Sequence, residues 1–315
     1  LWMRPIVEAV PNFSEGRDSR FVDRVVAAFR SRGAQVLDAS MDPDHHRSVV
    51  TVIGAPAHVA EGALAAAAIA LDAIDLRAHR GVHPRIGALD VLPLVPLEGI
   101  SSRELVSMAH ALAHRIAALG IPVFFYGAAS HPPGRGLASL RRGGFEALAA
   151  GGTLQTADVE GEAGPSSGPH RVVHPTAGAT CLGVRPVLLA WNVDIRGVPL
   201  ETLREIAGPL RERDGGFPGL RTLPLSLPMQ GRTQISMNLE DPVRTPPEVV
   251  FKAIESEVLR RGGEVVDTEV IGMLPDALST PEAAAQIRLR DWSEDRVLSN
   301  RLAAYREAAT RTRDE

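Results

Sequence analysis

Within nine residues, from His79 to Gly87, the chain places two imidazoles (His79, His83), two guanidiniums (Arg80, Arg85) and two glycines (Gly81, Gly87). An imidazole, with an ordinary pKa of about 6.5, accepts and donates a proton near neutrality. A guanidinium presents a planar fork that matches a carboxylate. The segment is too polar and too broken for a core element, so it reads as a loop joining an Ala-rich helix to the apolar run that begins at Ala88. Pro84 pushes the backbone of His83 toward extended geometry and keeps its ring out of helical packing. Loops that carry such groups on a rigid scaffold are common seats of catalysis. A solvated loop whose histidines cap neighbouring backbone is the alternative reading of the same residues.

Other polar groups are weaker candidates. Asp42, Asp44, His45 and His46 fall on a turn, where converging metal ligands arise only by chance. The His-Pro pairs at His83, His131 and His174 have no metal-site spacing, and no catalytic metal is expected. Arg47 lies on the strand entering from that turn and is placed to face a cleft. Asn12-Phe13-Ser14-Glu15-Gly16 reads as a strand-to-helix turn. Lys252 is the only lysine of the 315 residues and sits on an amphipathic helix, which argues against Schiff-base chemistry. Cys181 is the only cysteine, excluding an intramolecular disulfide and a thiolate metal cluster. The net charge of -4 gives no general attraction to nucleic acid or anionic lipid. No apolar run reaches membrane-spanning length and the opening residues do not read as a signal peptide, so a cytoplasmic protein without membrane or nucleic-acid partners is expected.

The elements that must position these groups alternate regularly. Strands are expected at Ile6–Val10, Gln35–Leu37, Ser48–Ile53 and Ala88–Val95, with helices at Ser19–Arg32 and His58–Ile74. A helix at Ser101–Leu119 opens with a capping box of Ser101 and Glu104. A strand at Pro122–Tyr126 and a helix at Leu137–Ala150, interrupted by Gly143-Gly144, follow. Residues 151 to 180, rich in glycine, proline and serine, read as the inter-domain segment. The order then recurs: strands at Val187–Val193, Leu220–Leu227, Gln234–Asn238 and Glu264–Ile271, helices at Leu200–Arg213 and Pro247–Arg261. Two C-terminal helices are expected at Ala283–Arg290 and Asn300–Thr310. Each half thus reads βαββαβ, an α+β ferredoxin-like order with an antiparallel sheet and helices on one face, in domains 1–180 and 181–315.

Several motifs resemble the formiminotransferase family. They are Val7 to Gly16, Asp44 to Val49, His79 to Val91, Gly164-Pro165-Ser166, and His174 to Thr180. Long motifs in family order over residues 5 to 280 make a specific signal. The resemblance implies two ferredoxin-like subdomains with the active-site cleft between them. It also implies transfer of a formimino group from N-formimino-L-glutamate to N5 of tetrahydrofolate, which acts as co-substrate, in a homodimer. The family's catalytic histidine falls on His83, with His79 the second candidate. Asn12, Arg47, Arg85 and Gly87 become substrate contacts. Gly164, Pro165, Ser166, Gly178, Ala179 and Thr180 become the folate-binding segment, where small residues let backbone approach a flat pterin. Two rival readings keep the fold: a transferase with another donor or amine acceptor, and a folate-binding protein without turnover.

Overall fold

Pro11, which lacks an N–H, breaks the first strand into β1 (Ile6–Ala9) and β2 (Asn12–Phe13). The ladder continues across the break because Val10 N donates to Pro93 O and Val50 N to Pro11 O, each at 3.1 Å. The computed structural model describes residues 4–151, 156–162 and 173–314 of a mixed α+β chain. It divides into two compact units after Pro186.

In the first unit α1 (Ser19–Arg30), β3 (Gln35–Asp42), β4 (Arg47–Gly54), α2 (Pro56–Ala73) and β5 (Leu89–Glu98) follow β2. β1 and β2 lie between β4 and β5 and run antiparallel to both, while β3 flanks β4. Next come α3 (Ser102–Ala117), β6 (Val123–Gly127), α4 (Leu137–Leu140), α5 (Gly144–Ala149) and β7 (Thr180–Val184). The expected capping box at Ser101 and Glu104 is present on α3. The helix expected at 137–150 is instead two short helices, because Gly143 and Gly144 adopt φ of +80° and +68°.

Nothing in the sequence announces β7. It pairs in parallel with β5 and with β6, and all five of its residues are buried, as a parallel strand covered on both faces requires. The division expected between 180 and 181 meets this strand at its start, and the compact units part only after Pro186.

Alternate sheet residues Val7, Ala9, Val50, Val52, Leu92 and Leu94 share one core with Phe21, Val25 and Phe29 of α1, the alanines of α2 and Leu105 and Leu112 of α3. Small residues on α2 allow this close packing; a Cβ at Gly62 would come within 2.3 Å of the Phe29 ring. Because strand side chains alternate, Glu8, Asn12, Arg47 and Thr51 fall on the opposite face of the sheet. That face is polar.

The second unit comprises β8 (Leu189–Arg196), α6 (Leu200–Leu210), β9 (Leu220–Leu227), β10 (Arg232–Leu239), α7 (Pro247–Arg260) and β11 (Glu264–Val270), then α8 (Pro281–Gln286) and α9 (Leu298–Asp314). Its strands lie in the order β11-β8-β10-β9, and every pairing is antiparallel. Trp191, Val193, Ile195, Ile235 and Met237 pack with residues of α6 and α7 in a second core. α6 ends at Leu210, short of Arg213, since Pro209 lies in its last turn and removes a backbone donor.

Candidate active site

The site begins with an irregularity in a strand. Asn12 pairs with Val91 and Phe13 with Leu89, so Asp90 is the extra residue of a β-bulge. Bulges re-aim side chains, often beside active sites. Here the bulge brings a fully buried carboxylate to Arg47. Asp90 Oδ2 accepts from Arg47 Nη1 at 2.7 Å and from Arg141 Nη2 at 2.5 Å. Its Oδ1 accepts from the backbone N–H groups of Ile86 and Gly87, at 2.8 and 3.3 Å. Burial pushes the Asp90 carboxyl up, but the guanidiniums of Arg141 and Arg47 outweigh it and hold it below the usual carboxylate range. Asn12 Oδ1 accepts from Arg47 Nη2 and Nε, at 3.0 and 3.2 Å, and Asn12 Nδ2 donates to Val10 O at 2.6 Å. Burial brings Arg47 down to about 10, with Asp90 opposing that shift, so its fork stays charged near neutrality.

Asp90 thereby ties the strand to the loop that carries the histidines. His83 is half-buried, and its Nδ1 lies 2.9 Å from Pro84 O. A carbonyl can only accept, so Nδ1 holds the proton of the neutral ring and Nε2 is left as a base. Burial, then the charges of Arg47 and Arg141, lower His83 well below 6.5. Its ring stacks on His45, with centroids 5.7 Å apart. His79 differs. Only 4% exposed, it stacks on His46 at 4.2 Å and donates from Nε2 to His46 O at 2.9 Å. Burial lowers it to about 4, and its Nδ1 is enclosed without a partner. Of the two loop imidazoles, His83 is the one that solvent reaches.

Glycines hold the loop against its neighbours. A Cβ at Gly87 would lie 2.0 Å from Ala179 O, and one at Gly178 (φ +68°) 2.0 Å from Ile86 O. The two segments exchange backbone hydrogen bonds, from Ala88 N to Ala177 O and from Ala179 N to Ile86 O. Small residues at 87, 178 and 179 therefore serve contact between two stretches of chain, and the space beside Gly87 and Gly178 is filled by backbone. Thr180 is fully buried and its hydroxyl donates to Leu89 O at 2.8 Å. Gly164, Pro165 and Ser166 lie outside the described residues.

Arg85 belongs to the loop but not to the Asp90 cluster. Its fork meets Glu146 of α5, at 2.8 Å from Nη2 and 3.2 Å from Nη1. Sequence reasoning misses Arg141, because Arg141-Arg142 beside two glycines resembles a solvated surface. Asp90 has a legible signal: an acid inside an otherwise apolar strand. Cys181 is fully buried, and burial pushes its thiol up to about 12, which leaves no thiolate to act as a nucleophile. Among the described residues, no group of three or more His, Cys, Asp or Glu is placed to hold a metal ion.

An imidazole with a free basic nitrogen, set beside two guanidiniums that share one carboxylate, is suited to moving a proton while an anionic reactant is held. Comparison with known proteins gives this arrangement a context. Residues 6–185 match the family described as formiminotransferase domain, N-terminal subdomain, and residues 190–290 match formiminotransferase domain. The chain is 35% identical to glutamate formimidoyltransferase of Thermoplasma acidophilum over 94% of its own length and 97% of the relative's. For the protein of that name in Streptococcus pyogenes serotype M1 the identity is 34%, over 95% and 99%. Formimidoyltransferase-cyclodeaminase of Sus scrofa is 38% identical over 87% of this chain and 51% of the longer protein.

Proposed function

This chain belongs to the formiminotransferase family and is a transferase, and from that premise we propose that it moves the formimino group of N-formimino-L-glutamate to N5 of tetrahydrofolate, with His83 as the acid–base catalyst. Such a step would serve histidine breakdown and one-carbon metabolism. N5 attacks the amidine carbon, and the proton it sheds passes to Nε2 of His83. The tetrahedral adduct collapses when that proton is delivered to the glutamate nitrogen; the carbon–nitrogen bond breaks and glutamate leaves. A neutral imidazole is needed for the first transfer and an imidazolium for the second. Two guanidiniums nearby favour the neutral form before reaction and make the imidazolium a stronger acid after it.

The observation that carries the reading is the hydrogen bond from His83 Nδ1 to Pro84 O, which commits Nε2 to the basic role on the accessible side of the loop. The βαββαβ order and the antiparallel order β11-β8-β10-β9 support a ferredoxin-like reading of the second unit, and β1 to β5 support it for the core of the first. Asn12 and Arg47 remain ligand contacts in this scheme, Arg85 a carboxylate contact only if Glu146 releases it, and the segment from Gly164 to Thr180 the folate side.

The test is an assay of the purified protein with N-formimino-L-glutamate and tetrahydrofolate, following release of glutamate and formation of 5-formiminotetrahydrofolate. Turnover with a formyl donor or another amine, and none with this pair, would replace the substrates. Folate binding without turnover of any donor in the panel would leave a binding protein.

A further inference from the structure

Arg141 stands at the end of α4, distant in sequence from both His83 and Arg47, yet it shares an oxygen with Arg47. Asp90 Oδ2 takes both guanidiniums, and Asp90 Oδ1 is already used by two backbone N–H groups. One carboxylate is thus set between two cations, and its capacity to accept is spent. The remaining partner of Arg47 is the neutral amide oxygen of Asn12. Arg141 Nε is enclosed without an acceptor, while the side chain keeps 14% of its surface open. A nearly buried site with one surplus positive charge and an unused donor is incomplete, because uncompensated buried charge is strongly unfavourable. An anion completes it.

We propose that Arg141 and Arg47, aligned by Asp90, form the seat for the α-carboxylate of the formimino donor beside His83. The inference rests on the substrate assignment made above. A carboxylate at this place has two sources, the donor or the glutamate tail of folate. The donor's α-carboxylate sits on the carbon that carries the leaving nitrogen, so it cannot lie far from the group that protonates that nitrogen. The folate carboxylates are separated from N5 by the benzoyl group. Proximity of the two guanidiniums to His83 therefore selects the donor. Seating that carboxylate also offsets the charge that lowers His83, so the imidazole becomes a better base only once the donor is in place.

The experiment pairs Arg141→Gln with donors trimmed one carboxylate at a time. The donors are N-formimino-4-aminobutyrate, which lacks the α-carboxylate, and N-formimino-2-aminobutyrate, which lacks the γ-carboxylate; tetrahydropteroate serves as the acceptor without a tail. Wild-type protein should lose about 10- to 100-fold in kcat/KM with the first donor, the scale of one charge-assisted pair. Arg141→Gln should lose a similar factor with the complete donor and should no longer distinguish it from the first. Its acid limb in kcat/KM should move to higher pH, since a cation near His83 is gone. Arg141→Lys, which keeps the charge, should restore the limb but not the full affinity.

A variant that still discriminates against the first donor as wild type does overturns the proposal. So does a loss that follows the γ-carboxylate or the folate tail. Should Arg141→Gln fail to fold, the Lys variant and calorimetric titration of wild type with L-glutamate and 4-aminobutyrate decide the same question. Equal affinities for those two ligands would refute the seat. Absence of formimino turnover in wild type would refute the substrate assignment instead, and the titration separates the two failures.

Discussion

Both units turn a polar sheet face away from their helices, and both put an aspartate with two arginines on it, but the charge ratios differ. In the first unit Arg47 and Arg141 face one carboxylate, Asp90. In the second, Arg232 and Arg290 face three: Asp194, Asp267 and Glu269. Asp194 accepts from Gln234 Nε2 at 2.8 Å and Arg232 Nη1 at 2.9 Å, and lies directly across the ladder from Asp267. Burial, with Glu269 adding to it, raises Asp194 above the usual carboxylate range although Gln234 pulls the other way. All ten histidines precede residue 187, so the second cluster has no imidazole to act on. A cation surplus beside a basic nitrogen makes a site; a carboxylate surplus without one makes a cross-strand brace. The same residue types yield a reactive or a structural network according to which sign is left over.

The sharpest break in that comparison is His83→Ala. It should fold as wild type and lose about 10²-fold or more in turnover, the range for one proton-transfer group. The wild-type rate should fall as pH drops through a value below 6.5, since the shift is downward and protonation removes the base. The variant should lack that limb. His79→Ala is the control: its enclosed ring bonds to His46 O, so it should lower the melting temperature and leave the pH profile alone. Loss of turnover in His79→Ala, with His83→Ala unaffected, would reverse the two roles.

Replacing the two central carboxylates comes next. Asp90→Asn leaves two guanidiniums without a counter-charge and should cost about 3–5 kcal/mol in urea unfolding, as breaking a buried pair does. Asp194→Asn keeps a partner for Gln234 and removes a carboxyl that burial already disfavours; the change should stay within about 1 kcal/mol. The pH dependences should be opposite. A lowered folded pKa gives Asp90 a stabilisation that is present above 3.8 and lost as pH falls through the lower folded value. A raised folded pKa means that Asp194 favours the folded state more as pH falls through that value toward 3.8. Equal losses in the two variants would erase the distinction between site and brace.

Arg47→Ala against Arg85→Ala tests the loop itself. Arg47 is buried on Asp90 and Asn12, so its loss should damage both stability and donor affinity. Arg85 pairs with Glu146, which is 63% exposed, and exposed partners contribute about 0–1 kcal/mol. Binding measurements should therefore show a small change for Arg85→Ala; a loss as large as that of Arg47→Ala would mean Glu146 yields the fork to a substrate. Smallest of all should be Cys181→Ala. A buried thiol held near 12 takes no part in chemistry, and turnover should remain within a few-fold. Abolished turnover with an intact circular dichroism spectrum would reveal a thiol step.

The α+β alternation, the capping box at Ser101 and the loop with His83 can be read from the chain alone, because periodicity, capping and proline effects act over a few neighbouring residues. Family motifs add the chemistry to expect. Which arginine stands where is settled only by the folded chain: Arg85 goes to Glu146, while Arg141 joins Arg47 through a bulge that no spacing announces. The fold also makes Gly87 and Gly178 meet each other's segments rather than open space, and sets Thr180 at the start of a parallel strand of the first unit's sheet. Pairing between positions 47, 90 and 141 depends on how distant segments register across a sheet, and register is a property of the closed fold.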